Sequence, residues 1–319
     1  MKALIIGAAG FVGGYLAHHL KYDLGWETVL TKLPAENIDG DYESHDLDIL
    51  RQEDISALLE CVKPDVIFHL AAQSSVALSW KNPRLTAMIN VEGCIDLLEA
   101  VRNIKDFQPK ILLIGSGEEY GYLPEGVSLV SENTPINPGN PYAATKAAQN
   151  MFGTLYARSY GMDIVMVRAF NHIGKGQLPQ FVAADFCRQA AEIKAGLREN
   201  VIRTGNLSAK RDFTDVRDVV RAYGLLALHG KSGETYNVGS GKSISIEELL
   251  CEIIALSGCD IRHETDPARM RPSDIPEIRA DIAKLQRDTG WTPEIPLSDT
   301  LREMIDHAGK ELRCNDKEK

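Results

Sequence analysis

The N-terminal stretch Ala3-Leu4-Ile5-Ile6-Gly7-Ala8-Ala9-Gly10-Phe11-Val12-Gly13 decides the fold class. An apolar run is followed at once by a glycine turn and then by a helical pattern of apolar residues. Glycines allow the backbone to turn sharply and approach a pyrophosphate, and the helix N-terminus offers free N–H groups to it. The pattern predicts a dinucleotide site rather than a plain strand-to-helix turn. Its cofactor-binding residues are expected to be Gly7, Gly10, Phe11, Val12 and Gly13.

The end of the second strand bears on the choice of dinucleotide. We expect this strand at about residues 27–30, followed by Thr31 and Lys32. An acidic residue at this place grips the ribose 2′-hydroxyl of NAD, whereas a hydroxyl or basic side chain suits the 2′-phosphate of NADP. The sequence therefore favours NADP(H), with Thr31 and Lys32 as contacts. NAD(H) stays possible, because Glu36 follows closely and would reverse the preference if the strand were longer.

Strands and helices alternate through the first half of the chain. The strands are expected at about residues 42–45, 66–70, 110–114 and 164–169, and the helices at 51–61, 83–104 and 142–160. This alternation predicts an α/β fold with a Rossmann-type doubly wound parallel sheet. A glycine-rich loop at 170–177 then leads to less regular elements, which indicate a smaller C-terminal α/β lobe that binds the substrate. We expect a dinucleotide-binding domain at 1–170 with about 212–240, and the lobe at 171–211 and 241–319.

Two further segments are candidates for lining the cofactor. Asp48 and Ile49 precede a helix, where they could clamp an adenine edge, although an aspartate capping that helix is an equal alternative. Leu70-Ala71-Ala72 closes a buried strand, and its small residues leave room for a cofactor. His69 inside that strand is interpreted as a core histidine rather than a catalyst.

A Tyr-x-x-x-Lys pair, Tyr142 and Lys146, opens an apolar helix. Residues four apart lie on one helix face, so the phenol and the ammonium address one small volume. A nearby cation lowers the pKa of a tyrosine and makes it a usable acid–base catalyst. A packed Tyr beside a solvated Lys is the alternative. Ser116 and Glu118 are the other catalytic candidates, because they lie at the carboxyl end of the strand at 110–114, where ligands of open α/β sheets bind.

The composition excludes several classes of function. The chain is 44% hydrophobic and 25% charged, as globular proteins are, and its net charge of -10 argues against a general nucleic-acid surface. Six cysteines without a Cys-x-x-Cys pair favour free thiols over disulfides or a metal site. No leader opens the chain and no stretch reaches membrane-spanning length. We therefore expect a cytoplasmic enzyme without a metal, a nucleic-acid partner or a membrane partner.

Together, the motifs resemble those of the extended short-chain dehydrogenase/reductases that act on nucleotide sugars. Gly7-x-x-Gly10-x-x-Gly13, Leu70-Ala71-Ala72, Ser116 and Tyr142-x-x-x-Lys146 stand in that family's order and spacing across nearly the whole chain. Other segments look like the branch that handles GDP-mannose derivatives, which contains GDP-mannose 4,6-dehydratases and GDP-6-deoxy-4-keto-mannose reductases. These segments are 70–76, 170–172, 205–207, 211–212 and 271–273.

The resemblance implies roles for the candidate residues. Tyr142 would exchange a proton with the C4 oxygen of the sugar, and Ser116 would hydrogen-bond the same oxygen. Lys146 would lower the pKa of Tyr142 and hold the nicotinamide ribose. Two arginines, together with Asn171, would bind the GDP diphosphate, since guanidinium forks match phosphate geometry. The full set of implied substrate-binding residues is Gln73, Ser75, Asn171, His172, Arg211, Arg271 and Asp274.

The choice between reductase and dehydratase depends on Glu118. A dehydratase removes water across C5 and C6, and the dehydratase pattern has a carboxylate at the Glu118 position with a threonine at the Ser116 position. Here the carboxylate is present and the hydroxyl belongs to a serine. Because segments 170–177, 211–216 and 267–271 look closer to the reductases, we favour reduction of the C4 ketone of GDP-4-keto-6-deoxy-D-mannose to GDP-D-rhamnose.

Other functions stay open. GDP-mannose 4,6-dehydratase is the first alternative, followed by a different nucleotide-sugar epimerase or dehydratase and by a non-catalytic NADP-binding protein. The expected partners are a GDP-sugar substrate and a second copy of the chain. The helices at 83–104 and 142–160 resemble those through which the family dimerises, which implies a homodimer or a higher homo-oligomer.

Overall fold

The fold is given by a computed structural model that describes residues 1–269 and 275–315. The strands are β1 (Lys2–Ile6), β2 (Glu27–Lys32), β3 (Glu43–Asp46), β4 (Val66–His69), β5 (Lys110–Ser116), β6 (Leu129–Val130), β7 (Ile164–Ala169), β8 (Asn171–Ile173), β9 (Val201–Thr204), β10 (Lys210–Arg211), β11 (Phe213–Asp215), β12 (Thr235–Val238), β13 (Ile244–Ser245), β14 (Arg262–Thr265) and β15 (Glu277–Ala280). The helices are α1 (Phe11–His18), α2 (Gln52–Val62), α3 (Val76–Lys81), α4 (Pro83–Ala87), α5 (Gly93–Asn103), α6 (Pro141–Tyr160), α7 (Val182–Lys194), α8 (Val216–His229), α9 (Ile246–Ser257), α10 (Ala283–Thr289) and α11 (Leu297–Asn315). The described π-helical turns are His19–Asp23 and Met88–Glu92. The described 3-10 turns are Gly117–Tyr120 and Pro267–Arg269.

The largest sheet has seven strands in the order β12-β7-β5-β4-β1-β2-β3. All of its neighbouring strands run parallel. From β1 the chain moves outward to β2 and β3 on one side, and later to β4, β5, β7 and β12 on the other. Such a reversal opens a crevice at the carboxyl ends of the strands, where ligands of this architecture bind. The predicted doubly wound parallel sheet is confirmed.

Helices cover both faces of this sheet, and each face has its own apolar core. On one face, Ile5 of β1 packs with Leu16 of α1 and Tyr223 of α8. On the other face, Leu4 of β1 packs with Leu59 of α2. Successive residues of β1 thus enter opposite cores, as the strand period requires. Burial on both faces explains why the strands are near-continuous apolar runs.

The C-terminal lobe has a third apolar core, formed mainly by α7, α9 and α11. The short strands β13, β10, β15 and β6 form a separate four-stranded sheet. Leu285 of α10 and the fully buried Trp291 pack with the core of the large sheet, although the sequence placed both residues in the lobe. The division into two domains otherwise stays a prediction.

Two elements differ from the sequence prediction in ways that matter for the site. β2 continues to Lys32, because it stays paired with β3 as far as the register Lys32 opposite Asp46. The helix expected at 83–104 is divided into α4 and α5 by the π-helical turn Met88–Glu92. Such π turns occur frequently at functional sites, and this one carries the fully buried Asn90.

Candidate active site

The glycine turn leaves open space at the start of α1. Gly7 has a φ of +84°, and a Cβ on it would lie 2.6 Å from the Cα of Ala71. A Cβ on Gly13 would overlap the backbone of Ala8, so these two glycines allow strand, turn and helix to pack closely. A Cβ on Gly10 would meet only the Gly7 carbonyl, at 3.6 Å. The Gly13 amide donates to the Gly10 carbonyl at 3.0 Å, and the amides before it at the start of α1 lie beside this open space, where a pyrophosphate could be bound.

The end of β2 holds a hydroxyl, a cation and a carboxylate, each with a protein partner. Thr31 is 1% exposed, and its hydroxyl accepts a hydrogen bond from the Gly7 amide at 3.1 Å. The Thr31 hydroxyl thus supports the glycine turn, and a contact between Thr31 and the cofactor stays a prediction. Lys32 pairs with Asp46, with Nζ 2.6 Å from Oδ1. The Glu36 carboxylate accepts from the amide of Leu33 at 2.9 Å, which holds it close to the end of β2.

Both residues of the segment proposed to contact an adenine edge, Asp48 and Ile49, make contacts within the protein. Ile49 is 7% exposed and its side chain packs against Gly93 of α5, and its contact with the cofactor stays a prediction. Asp48 accepts from the amide of Leu50 at 3.0 Å, while the N-cap of α2 is Arg51. Asp48 thus stabilises the turn before the helix, and its contact with an adenine edge stays a prediction.

The end of β4 lies directly beneath the glycine turn. The amides of Leu70 and Ala71 both donate to the Ile6 carbonyl, at 3.0 and 2.8 Å. The small Ala71 is what permits the close approach of Gly7. His69 is fully buried, and neither ring nitrogen has a hydrogen-bond partner within the described residues. Burial, helped by the charge of Lys146, lowers the pKa of His69 to about 3, so the ring is neutral, as expected of a core histidine.

Ser116 and Glu118 lie at the carboxyl end of β5 on a 3-10 turn. Ser116 is 8% exposed and is the N-cap of this turn, with Oγ accepting from the Glu118 amide at 3.1 Å. The side-chain amide of Asn140 donates to Oε2 of Glu118 at 3.1 Å. Asn140 is also the N-cap of α6, because its Oδ1 accepts from the Ala143 amide at 2.8 Å. One residue therefore links Glu118 to the start of the helix that carries the Tyr-x-x-x-Lys pair.

Lys146 is a desolvated cation on α6. It is 3% exposed, and Nζ donates to the carbonyl of Ile114 at 2.7 Å and to Oε1 of Gln149 at 3.0 Å. Burial disfavours the charged form and lowers the pKa of Lys146 to about 8. An ammonium has three donors, so one remains for a further acceptor.

Tyr142 differs from the prediction in the direction of its pKa shift. Burial raises the pKa of the phenol, the charges of Glu118 and Glu119 add to the rise, and a side-chain hydrogen bond with Ser116 opposes it. The net pKa of Tyr142 is therefore raised and not lowered as expected, because desolvation dominates and the Lys146 ammonium is directed at β5. The phenol is protonated at neutral pH, which suits a proton donor.

A buried amide network behind the site was missed by the sequence analysis. Asn90 accepts from the Gln73 amide at 2.8 Å and donates to the Gln73 carbonyl at 3.1 Å and to Oγ1 of Thr145 at 2.9 Å. Thr145 in turn donates to the Tyr142 carbonyl at 2.7 Å. The network joins the loop after β4 to the catalytic helix. Its sequence signal is one polar residue, Asn90, in an apolar helical run.

Two of the implied substrate contacts, Gln73 and Ser75, are hydrogen-bonded within the protein, and their contact with the substrate stays a prediction. The Gln73 side chain is 8% exposed, and its amide nitrogen donates to Oγ1 of Thr86 at 2.9 Å while its oxygen accepts from the Ser75 amide at 2.5 Å. The Ser75 hydroxyl caps α3 by accepting from Leu78 at 3.2 Å. Both side chains form hydrogen bonds in and around the loop. Their geometry therefore does not favour direct contact with the substrate.

The remaining substrate candidates lie on the lobe side of the crevice. Asn171 is exposed on β8. The ring of His172 stacks on Phe11 of the glycine turn, with 6.2 Å between centroids and 2° between planes. Arg211 donates to the Ile275 carbonyl at 2.6 Å. Arg271 and Asp274 lie outside the described residues.

The site brings Ser116, Tyr142 and Lys146 together at the carboxyl ends of the strands, beside a glycine turn with room for a dinucleotide. Residues 4–304 match the family model for GDP-mannose 4,6 dehydratase. The GDP-6-deoxy-D-mannose reductase of Pseudomonas aeruginosa is 34% identical over 304 residues, 95% of this chain and 96% of that protein.

Solved structures share the whole fold. RMD from Pseudomonas aeruginosa, complexed with NADPH, superimposes with a TM-score of 0.87 and 32% identity over 98% of this chain and 100% of its own. The UDP-glucose 4-epimerase of Thermus thermophilus, in complex with NAD, gives a TM-score of 0.85 and 29% identity over 97% and 99%. Fold and site define an extended short-chain dehydrogenase/reductase. Within that class, the chain belongs to the GDP-mannose 4,6-dehydratase family.

Two further predictions concern the surroundings of the protein. In the described ranges, no helix is both long enough and apolar enough to cross a bilayer. The free-thiol prediction is confirmed for the five cysteines that the structure describes in full, which are Cys61, Cys94, Cys187, Cys251 and Cys259.

Proposed function

We propose that this protein is a nucleotide-sugar reductase that converts the C4 ketone of GDP-4-keto-6-deoxy-D-mannose to GDP-D-rhamnose with NADPH. The observation that carries the direction of the reaction is the 34% identity, over 95% of this chain, to a GDP-6-deoxy-D-mannose reductase. Tyr142, whose phenol carries its proton at neutral pH, is the group that can donate a proton to the C4 oxygen. Reduction of a ketone needs a proton donor at its oxygen, whereas oxidation of an alcohol needs a base there. The similarity to a GDP-6-deoxy-D-mannose reductase supports the same substrate.

The chain's own residues divide the work in this proposal. NADPH, when bound, supplies the hydride for C4. Tyr142 donates its phenolic proton to the C4 oxygen. Ser116 Oγ already accepts an amide hydrogen, so its own proton is available to the same oxygen. Lys146 offers its third N–H to a ribose hydroxyl of the nicotinamide nucleotide, since its other two are held by the protein.

The cofactor is proposed to be NADP(H), with NAD(H) as a weaker substitute. Lys32 is the cation available at the end of β2, and RMD from Pseudomonas aeruginosa is complexed with NADPH. Asp46 neutralises part of the Lys32 charge, and the Glu36 carboxylate, which accepts from the Leu33 amide, lies near the end of β2. Because of these two carboxylates, we expect a preference for NADP(H) that still allows NAD(H) to bind.

A dehydratase remains the second candidate because of Glu118. Its carboxylate lies on the same turn as Ser116 and is oriented by Asn140, as a base for the sugar's C5 proton would need to be. In the reductase proposal Glu118 has no proton to transfer. Glu118→Gln should therefore leave C4 reduction largely intact, whereas it would abolish dehydration. Equal loss of reduction would give Glu118 another role, such as positioning the sugar.

The decisive experiment offers purified protein two substrates in separate reactions. With GDP-4-keto-6-deoxymannose and NADPH, we expect loss of NADPH absorbance. With GDP-mannose and no added reductant, formation of the keto sugar would overturn the proposal in favour of the dehydratase. Tyr142→Phe should lower turnover by roughly 10²- to 10⁴-fold while fold and cofactor binding stay normal. Turnover that survives this change would contradict the mechanism.

Two partners are proposed, a GDP-sugar and a second copy of the chain. Asn171, Arg211, Arg271 and Asp274 are kept as candidates for binding the GDP-sugar. Met151 and Leu155, one turn apart on α6, are 59% and 55% exposed, so a second copy of the chain is proposed to cover this face. Sedimentation equilibrium tests the homodimer, and a strictly monomeric protein would refute it. A cytoplasmic location stays an expectation from the unpaired cysteines.

A further inference from the structure

A fully buried carboxylate lies directly behind the catalytic residues. Glu119 is 0% exposed and stands on the 3-10 turn between Glu118 and Tyr120. Its Oε1 accepts from the Ser116 amide at 2.8 Å, and the two residues form a capping box. Burying a carboxylate costs free energy unless it is paired and fully hydrogen-bonded. Its presence at this place therefore calls for a specific role.

Three elements converge on this carboxylate. The side-chain amide of Asn150 donates to both carboxylate oxygens of Glu119, at 2.8 and 2.9 Å, and Arg168 Nε donates to Oε2 at 3.0 Å. Asn150 lies on α6, one turn beyond Lys146, and Arg168 lies on β7. The carboxylate thus ties the end of β5 to the catalytic helix and to the neighbouring strand.

The strand is shaped to admit this contact. A Cβ on Gly115 would overlap Oε1 of Glu119 and the side-chain nitrogen of Asn150. Because any other residue at position 115 would displace the pair, the glycine before Ser116 and the carboxylate after it form one arrangement. The backbone at the strand end therefore accommodates the contact between Glu119 and Asn150, independently of the ion pair with Arg168.

The charge of Glu119 also reaches the catalytic groups. It raises the pKa of both Tyr142 and Lys146. The other titratable groups that face Lys146 are His69 of β4 and Cys94 of α5. Burial lowers the pKa of His69 to about 3 and raises that of the Cys94 thiol to about 12, so both are neutral. Burial raises the pKa of Glu119 too, while the charge of Arg168 and the hydrogen bonds from Ser116 and Asn150 oppose the rise. In its ionised form, Glu119 is the group among these that presents a negative charge to Lys146.

We propose that Glu119 is a positioning residue for the reaction: its carboxylate holds the strand end that carries Ser116 against the helix that carries Tyr142 and Lys146. The inference rests on the proposed function only for the assignment of those three catalytic residues.

The charge of Glu119 has a second effect, on the pH dependence of activity. Reduction needs a protonated Tyr142, so activity falls as pH rises through the pKa of the catalytic groups. Without the charge these pKa values are lower, and the fall begins at a lower pH.

Two substitutions separate the reach of the side chain from its charge. Glu119→Gln keeps the reach and removes the charge. Its oxygen can still accept from the Ser116 amide, while its nitrogen gives up the bond from Arg168 Nε and can donate to Asn150 Oδ1, which is without a partner within the described residues. Glu119→Asp keeps the charge but is too short to hold the Ser116 amide. Glu132→Gln is the matched control, since the Glu132 side chain bonds the Asn237 amide at 2.8 Å, on the far side of Arg168.

The measurements are kcat, KM and the pH profile of kcat, with whichever GDP-sugar the unmodified protein turns over. We expect the alkaline fall of kcat to begin at lower pH in Glu119→Gln, and we expect Glu119→Asp to lose roughly tenfold or more in kcat at unchanged KM. Glu132→Gln should match the unmodified protein. NADPH affinity and thermal unfolding report whether each variant is folded.

Several outcomes overturn the inference. Unchanged kcat and an unshifted pH profile in a folded Glu119→Gln would do so, as would equal losses in Glu119→Gln and Glu132→Gln. If Glu119→Gln does not fold, a folded Glu119→Asp with unchanged kcat decides against the proposal. Failure of the unmodified protein to reduce the keto sugar is a different result: it refutes the proposed reaction, and the Glu119 variants are then compared on the substrate that is turned over.

Discussion

Replacing Lys146 by Met should change the pH dependence of stability in a way that follows from its burial. The ordinary pKa of the lysine is 10.5, and burial lowers it to about 8 in the folded protein. Between these values the unfolded chain binds a proton that the folded protein does not, so the unfolding free energy of the unmodified protein rises with pH. Below the folded pKa the full cost of the buried ammonium is present. Above 10.5 the cost is absent.

The size of this effect follows from the shift. A change of about 2.5 pKa units at 1.36 kcal/mol each corresponds to roughly 3 kcal/mol. Lys146→Met has no ammonium, so its advantage over the unmodified protein should shrink by roughly 3 kcal/mol as pH rises across this window. The hydrogen bonds lost at Ile114 and Gln149 shift the difference by an amount that does not depend on pH.

The assay is urea unfolding of both proteins, followed through the fluorescence of the tryptophans, of which Trp291 is fully buried against the large sheet. Lys105→Met, at an exposed position, controls for the loss of one lysine. A difference in unfolding free energy that stays constant from neutral pH to about pH 10 would refute the reasoning, because it would mean that the ammonium is not desolvated. Turnover should be lost in Lys146→Met at every pH.

Three further expectations test other parts of the site. Gly7→Ala should abolish NADPH binding, because its Cβ would lie 2.6 Å from the Cα of Ala71, whereas Gly14→Ala, with no atom within 4 Å, should bind NADPH normally; fluorescence titration compares them. Asn90→Ala should lower the unfolding free energy by about 3 kcal/mol, since it leaves buried groups of Gln73 and Thr145 unpaired; a loss below ~1 kcal/mol would show that water replaces the amide. Asp46→Asn should raise the NADPH to NADH preference by about two- to fivefold, as an exposed pair is worth up to ~1 kcal/mol; an unchanged ratio of kcat/KM values would place Lys32 away from the 2′-phosphate.

The parts of the molecule that local chemistry determines were predictable from the sequence. The run from Ala3 to Gly13 predicted strand, turn and helix, because close packing there requires particular glycines. The pairing of Ser116 with Tyr142 was also predictable, since a strand end and a helix N-terminus meet at one edge of a parallel sheet.

Features that depend on the folded environment were not predictable. Thr31 was expected to face a ligand, yet the strand period places its hydroxyl inward beneath Gly7. The link from Asn90 to Thr145 spans 55 positions and needs the π turn, for which no periodicity gives a signal. The predicted direction of the Tyr142 pKa shift was wrong, because helical spacing places two side chains near each other but gives no information on how far the site is desolvated.

The stack of His172 on Phe11 has a consequence for how the binding of one ligand affects the binding of the other. One ring is that of Phe11 at the start of α1, next to the glycine turn, and the other is that of His172 on β8, which runs into the loop that leads to the lobe. The Tyr15 hydroxyl adds a bond to the Lys175 carbonyl of that loop at 2.8 Å. A ligand that shifts either side therefore alters the other, and such linkage is reciprocal. NADPH should therefore change the dissociation constant of the GDP-sugar by some factor, and the GDP-sugar should change that of NADPH by the same factor; titration of each ligand with and without the other measures both.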